Sequence, residues 1–276
     1  MSKLRKFRKS ILNIFLLGYS LLSIYPLLWM IMNSFKKNSE FMVNNMSFPK
    51  NLNFMNYVDA FMTSKMNIYY INSIIVSTVS IFLILIIIFS IGYVFSRYIF
   101  VGRRLMYVLF LFGMLIPTHS LLIPLFTQYK LMGLLNSRMA LILTYCGYNL
   151  PAGIFLVEGF VHSIPRELEE AAYIDGANMI DTMLKIILPI TKPVLVTSML
   201  LAFINIWNEM PFALVLASKD SLRTIPIGLA NFSGEFSVNY TQLLAASVLA
   251  TLPVIIIYGL FNNQIVNGMV SGSVKG

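Results

Sequence analysis

Six long apolar runs restrict this chain to one class of fold. A helix that crosses the hydrocarbon core of a bilayer, about 30 Å thick, needs roughly 20 apolar residues, and each run reaches that length. Apolar residues make up 58% of the 276 residues and charged residues only 11%, against roughly a quarter in soluble domains. Because backbone polar groups in lipid must be bonded within their own segment, the spans are expected to be helices. The sequence therefore predicts an all-α, polytopic membrane protein with spans at about 11–33, 69–96, 105–128, 139–162, 194–217 and 242–262.

The distribution of basic residues indicates the orientation. The densest basic cluster, residues 3–9, precedes the first span, and loops on the cytoplasmic side of a membrane carry an excess of Lys and Arg. An even number of spans leaves both termini on one side, so we place both in the cytoplasm. Membrane lipid of negative charge, and no nucleic acid, is the expected partner for this positive charge. Nothing in the sequence marks a domain boundary, and we expect a single transmembrane domain over residues 1–276.

Polar residues inside the predicted spans indicate a route through the bundle. Glu209 at depth would cost about 2.5–3.5 kcal/mol unless it found a partner or water. At spacings of three and four residues it shares one helical face with Asn205, Asn208 and Phe212. Hydrogen bonding between helices explains each of these residues as well as a substrate contact does. The candidates for a translocation path are Asn205, Trp207, Asn208, Glu209, His119 and Asn149.

Two prolines, Pro117 and Pro124, interrupt the third span. Each lacks a backbone N–H, so it frees a carbonyl that a neighbouring helix or water in a cavity must satisfy. We expect a kinked helix that borders the path.

The polar segment between the fourth and fifth spans, 163–192, reads as a helix-turn-helix outside the bilayer. Ser163 and Pro165 suit a helix start, and acidic residues follow in the opening turns. Gly176 is expected to end this helix. A second helix is expected from Asn178, as its cap, to Pro189. Because a helix of roughly ten residues is marginal alone in water, the element must pack against its own bundle or a partner.

The motifs of this segment resemble a known family. Glu170-Ala171-Ala172 is followed by Gly176, and an Ile-x-Leu-Pro sequence, 186–189, follows nine residues later. This pattern is similar to the EAA loop of bacterial ABC importer permeases, and 163–177 resembles the carbohydrate branch. Further similar stretches are 116–117, 122–125, 133–136, 207–209 and the tail 272–276. The chain is identified as a MalG-like permease with the type I ABC importer permease fold.

The resemblance implies roles for named residues. The loop would sit in a cleft of a cytoplasmic ATPase and couple nucleotide-driven closure to the spans. The implied coupling residues are Glu167, Glu170, Ala171, Ala172, Asp175, Gly176, Ile186, Leu188 and Pro189. The tail residues Val274, Lys275 and Gly276 would also face the ATPase. Two positions depart from the family pattern: Met183 replaces a frequent aromatic residue, and Glu158 stands where a basic residue is common.

The implied function is the permease subunit of an ATP-driven, binding-protein-dependent sugar (oligosaccharide) importer in a bacterial plasma (inner) membrane. The implied partners are a MalF-like sister permease, a dimer of MalK/MsmX-like ATPase subunits and an extracellular sugar-binding protein. No Gly-x-x-x-x-Gly-Lys-Ser/Thr loop occurs, so we expect ATP and Mg²⁺ on the partner ATPase, with no cofactor or metal bound by this chain.

Other functions compete with this one. The cargo could be glycerol phosphate, a polyol or another small solute, because the motifs would be almost the same. An ion-coupled secondary transporter would need coupling carboxylates at midplane, for which only Glu209 qualifies. An intramembrane enzyme is disfavoured because the chain has no Gly-x-Ser-x-Gly or His-Glu-x-x-His motif.

Overall fold

The computed structural model describes the backbone of residues 2–232 and 239–273, and the side chains of residues 9–62, 64–232 and 239–262. Every regular element among these residues is helical. In chain order they are α1 (Ser2–Ser34), α2 (Asn38–Val43), α3 (Met55–Val58), α4 (Met66–Arg97), α5 (Arg103–Gly113), α6 (Leu122–Leu131), α7 (Arg138–His162), α8 (Glu167–Ile174), α9 (Met179–Asp181), α10 (Leu188–Trp207), α11 (Pro211–Leu216), α12 (Ile225–Ala230) and α13 (Tyr240–Ser273). Asp59–Thr63 and Thr182–Ile187 form π-helical turns, and Thr118–Leu121 and Asp220–Leu222 form 3₁₀ turns.

The predicted set of six spans agrees with the helices of the described residues. Five segments are long and apolar enough to cross a bilayer: Lys9–Ser34, Met66–Arg97, Arg138–His162, Met179–Trp207 and Tyr240–Asn262. A sixth candidate is the pair Arg103–Gly113 and Thr118–Leu131, which is bent by 96°. With that pair counted as one span, the all-α polytopic architecture is confirmed.

The third span is broken rather than gently kinked. The helix ends at Gly113, and Pro117 takes an extended conformation with φ −61° and ψ 110°. Proline disfavours the α conformation of the residue before it, so Ile116 cannot continue the helix. Pro124 lies in the first turn of α6, where its missing N–H removes no intrahelical bond.

The fifth span differs from the prediction in both its start and its end. The helical path begins at Met179 and stops at Trp207, whereas we expected 194–217. Pro189 does not end the loop helix as expected, because it lies in the first turn of α10, directly after the π turn. At the other end Pro211 begins a new helix, α11, in whose first turn its missing N–H removes no intrahelical bond. The expected common face of Asn205, Asn208, Glu209 and Phe212 is therefore wrong, since the helix ends among them.

Internal contacts divide the described chain into two compact units. The first contains the chain up to residue 67 together with 228–252. Here the amide of Asn56 donates to the carbonyls of Ser34 and Lys36, both at 2.7 Å. The Lys36 side chain is fully buried and its Nζ donates to the Asn44 carbonyl at 3.0 Å. Burial lowers the pKa of this amine because the charged form loses its hydration.

The second unit contains residues 68–227 and the chain from 253 onward. Its buried core includes Ile88, Ile154 and Val157 of α4 and α7, with Ile187 and Phe212 beside them. Gly92 permits α4 to approach α7 closely, because a Cβ there would lie 2.7 Å from the Val157 Cγ1. Small residues at such contacts are characteristic of packed membrane helices.

Candidate functional site

The first helix of the polar loop, α8, has two chemically different faces. Glu167, Glu170 and Ala171 are exposed, whereas Glu169 and Ala172 are 7% and 6% exposed. The helix begins at Glu167 rather than at Ser163 or Pro165, because Ser163 and Ile164 bond back to α7 through the Phe160 and Val161 carbonyls. Its first turn is acidic, which complements the positive end of the helix dipole. Ala172, expected among the coupling residues, instead faces the protein interior.

The turn after α8 has the predicted conformation. Gly176 has φ +86°, the left-handed region that costs glycine little. Its N–H donates to the Tyr173 carbonyl at 3.1 Å, and the Ala177 N–H donates to the Ala172 carbonyl at 2.9 Å. This pair of bonds is a Schellman motif. Asp175 and Gly176 are exposed at its tip.

The second half of the loop is joined to the bundle. The Asn178 side chain accepts from the Asp181 N–H at 2.9 Å, the cap that the sequence indicated. Ile186 and Leu188 pack in part against the core, but the fully buried residue is Ile187 between them. Pro189 is exposed. The motif spacing correctly predicted that this segment contacts the bundle. The helical periodicity places Ile187, rather than Ile186 or Leu188, in the core.

Two of the path candidates bond to each other. The Asn205 amide in α10 donates to Asn149 Oδ1 in α7 at 3.2 Å. The Asn149 amide donates to the Tyr145 carbonyl of its own helix at 2.8 Å. Asn208 is exposed and donates to the Ile204 carbonyl at 2.9 Å. The pair Asn149–Asn205 matches the alternative of hydrogen bonding between helices.

The carboxylate of Glu209 organises the break in the fifth span. It accepts from the Tyr145 hydroxyl at 2.7 Å, from the Phe212 N–H at 2.6 Å and from the Ala213 N–H at 3.1 Å. The last two are free donors of the first turn of α11. Glu209 thereby acts as a charged cap for that helix, which stabilises its charge inside the bundle.

The remaining path candidates lie apart. Trp207 is 4% exposed, and its ring lies 5.3 Å from that of Phe203 and 5.9 Å from that of Tyr70. It lines an apolar cavity of about 430 Å³ with residues of α4, α10 and α13. His119 is exposed in the 3₁₀ turn of the third span.

A more polar cavity lies between the third and fourth spans. Its volume is about 520 Å³, and its lining includes Thr118, Gln128, Tyr129, Thr144, Tyr148 and Phe212. Tyr148 and Phe212 stack with ring centroids 6.2 Å apart, and Thr144 donates to the Tyr129 hydroxyl at 3.2 Å. None of the six path candidates lines this cavity. The sequence does indicate polar stripes here, since Gln128, Thr144 and Tyr148 lie in otherwise apolar helices, but these residues are not among the six candidates.

The acidic departure at Glu158 is balanced by its neighbours. Its carboxylate accepts from the Tyr107 hydroxyl at 3.1 Å and lies 3.8 Å from the Arg103 guanidinium. The other predicted contact to an ATPase, the tail of Val274, Lys275 and Gly276, lies outside the described residues.

The described residues combine long apolar helices, one broken span, a polar cavity and a polar helix-turn-helix, which is the architecture of a polytopic membrane protein. Residues 88–270 match the family described as binding-protein-dependent transport system inner membrane component, and the chain belongs to that family. It is therefore a multi-pass permease of a binding-protein-dependent ABC importer and not an enzyme.

Similar proteins agree with the MalG-like assignment. A probable ABC transporter permease of Bacillus subtilis, YurM, is 36% identical over 95% of this chain and 87% of its own length. The trehalose/maltose transport system permease MalG of Thermococcus litoralis is 37% identical over 67% of this chain and 66% of its own. A chain in the crystal structure of a bacterial ABC transporter involved in import of the acidic polysaccharide alginate has a TM-score of 0.82. It is 25% identical and the match covers 95% of this chain and 97% of that one.

Proposed function

We propose that this chain is the MalG-like half of a heterodimeric sugar pore. A MalF-like sister permease would complete the pore, and a dimer of MalK/MsmX-like ATPase subunits would bind ATP and Mg²⁺ and drive it. An extracellular sugar-binding protein would deliver an oligosaccharide. Support for a sugar comes from the relatives, since one is named for trehalose and maltose and another transporter imports alginate.

The observation that carries the coupling role is the exposed face of α8. Glu167, Glu170 and Ala171 project from a helix of eight residues that follows an apolar span directly. So short a helix is not stable on its own, but its inner face and the Schellman turn hold it in place. A preorganised, acidic, exposed surface of this kind suits docking to a second protein.

The proposed orientation follows from this role. The loop between the fourth and fifth spans lies on the same side as the termini when the spans number six. An ATPase is cytoplasmic, so α8 and both termini would lie in the cytoplasm of a bacterial cell. The basic cluster at residues 3–9 supports this placement.

Within the bundle, the cavity lined by Gln128 and Tyr148 is the proposed contribution of this chain to the sugar path. It offers an aromatic face and amide and hydroxyl groups together, which suits a solute with apolar ring faces and many hydroxyl groups. ATP-driven closure and the loaded binding protein would each shift the bundle toward the state that they contact better.

Co-purification with the ATPase tests the coupling role. Glu170→Lys and Gly176→Asp, in full-length protein co-expressed with the sister permease and ATPase, should abolish recovery of the ATPase. Lys219→Glu is a matched control, because it also reverses an exposed charge but lies in the loop after α11. Normal recovery and transport in both loop variants would overturn the coupling role.

Uptake into proteoliposomes tests the cargo and the energy source. With the complete importer, we expect uptake of maltotriose or another oligosaccharide to require ATP on the side of the ATPase. Uptake driven by a proton or sodium gradient without ATP would contradict the proposal. Uptake of glycerol 3-phosphate alone would keep the importer class and refute the sugar assignment.

A further inference from the structure

The inner face of α8 contains a buried charge that the exposed coupling face does not explain. The side chain of Glu169 is 9% exposed, and that of its partner Arg97 is 6% exposed. Arg97 is the last residue of α4, a helix of 32 residues. One buried ion pair therefore joins the polar loop to the end of the second span.

The contact is more than a single pair. Arg97 Nε forms the ion pair with Glu169 Oε1, and Arg97 Nη2 donates to the Ile164 carbonyl at 2.9 Å. One turn earlier in α4, the Tyr93 hydroxyl donates to Glu169 Oε2 at 3.0 Å. The last turn of α4 thus holds both the helix α8 and the turn that precedes it.

The chemistry of this cluster makes it rigid. Both charges of the ion pair are buried, and breaking a buried pair leaves an uncompensated charge. Burial and a hydrogen bond with Tyr173 raise the pKa of the neighbouring Tyr98 further above its ordinary value. The ion pair of Asp181 and Lys185, with Lys185 76% exposed, stabilises the loop much less, because water screens it.

We infer that Tyr93, Arg97 and Glu169 form the joint through which movement of α8 is passed to α4. This inference rests on the proposed docking of the outer face of α8 to an ATPase. Because α4 contains no proline and a helix of this length is about 48 Å long, displacement of its last turn is carried along the span. Glu170 contacts the motor from outside, while Glu169 on the opposite face transmits the movement. The three residues are positioning residues that do not contact nucleotide or cargo.

The test compares transport with hydrolysis in the complete importer, reconstituted in proteoliposomes. Glu169→Gln should lower the sugar transported per ATP hydrolysed at least tenfold, while recovery of the ATPase stays within twofold of wild type. Arg97→Gln should have a similar effect, and the double variant should be no worse than the worse single one, because both act on one joint. Asp181→Asn, which breaks the exposed ion pair of the same loop, should leave the ratio unchanged.

A merely structural role would give a different result. Loss of folded protein lowers hydrolysis and transport together, so an unchanged ratio in Glu169→Gln and Arg97→Gln would overturn the inference. If Glu169→Gln does not insert, Tyr93→Phe removes only one hydroxyl and should lower the ratio about threefold; no change there overturns the inference equally. Failure of the wild-type chain to recover the ATPase would instead overturn the proposed function itself.

Discussion

The acidic coupling residues of the loop and three polar candidates of the spans differ in how their polar groups are satisfied. In α8, Glu167 and Glu170 are exposed, and a Schellman turn at Gly176 caps the end of the helix. In the spans, Asn149, Asn205 and Glu209 are bonded to other groups of the same chain. The difference has a physical cause, because a polar group in lipid must first be satisfied internally, whereas one outside the bilayer is satisfied by water. Polarity alone therefore indicates function poorly within a span.

The largest expected loss of stability comes from a polar residue of the spans, Glu209. Glu209→Ala leaves the Tyr145 hydroxyl and two N–H groups of α11 without their acceptor, and buried unsatisfied donors cost about 1–3 kcal/mol each. We expect a loss of about 3 kcal/mol or more in unfolding free energy, measured in mixed detergent micelles. Asn208→Ala, an exposed neighbour, should cost less than about 1 kcal/mol. Equal losses would contradict the capping role of Glu209.

The next largest loss of stability is expected in the loop, at Gly176. Gly176→Ala meets no atom within 4 Å, so its cost is that of the left-handed backbone, about 1–2 kcal/mol. The matched control is Gly159→Ala in α7, which also meets open space but has helical geometry and should gain about 0.5–1 kcal/mol. Hydrogen exchange of the turn amides and unfolding in micelles would measure both. An unchanged unfolding free energy in Gly176→Ala would refute the requirement for glycine at this left-handed position.

The cavity between the third and fourth spans combines features of both regions, because it has polar groups within the bundle and yet has space for a ligand. Tyr148→Leu removes an aromatic face worth about 1 kcal/mol, and we expect roughly a fivefold fall in sugar uptake. The unfolding free energy should fall by about 0.5–1.5 kcal/mol, the value of the lost aromatic pair with Phe212. A fall in unfolding free energy without any change in uptake would place Tyr148 with the structural residues.

The smallest effect should come from the bond between α7 and α10. Asn205→Leu removes the amide that donates to Asn149, and such bonds in membrane bundles average about 0.6 kcal/mol. We expect a stability change near that value and normal uptake. A severalfold fall in uptake at unchanged stability would return Asn205 to the path and weaken the contrast between loop and spans.

Local chemistry was enough to predict much of the molecule. Apolar length predicted the spans, Gly176 predicted the end of α8, and Asn178 predicted the next helix start. The motif around Glu170 indicated the importer family, which the comparisons confirm. The same reasoning missed the end of α10 at Trp207, because the apolar residues from Phe212 to Leu216 extended the predicted span past Asn208, Glu209 and Pro211, which signal the break.

The sequence by itself determined which segments are apolar enough to cross a bilayer, the end of α8 before Gly176, the cap at Asn178 and the class of protein. Those properties depend on hydropathy, caps and glycine conformation, which are local. Only the tertiary structure decided that Glu169 meets Arg97 across 72 residues, that Glu209 caps α11, and that Gln128 and Tyr148 line one cavity. Contacts between distant residues depend on how helices pack, which local sequence does not specify. Two adjacent glutamates, Glu169 and Glu170, look alike in the sequence, although one is buried and the other exposed.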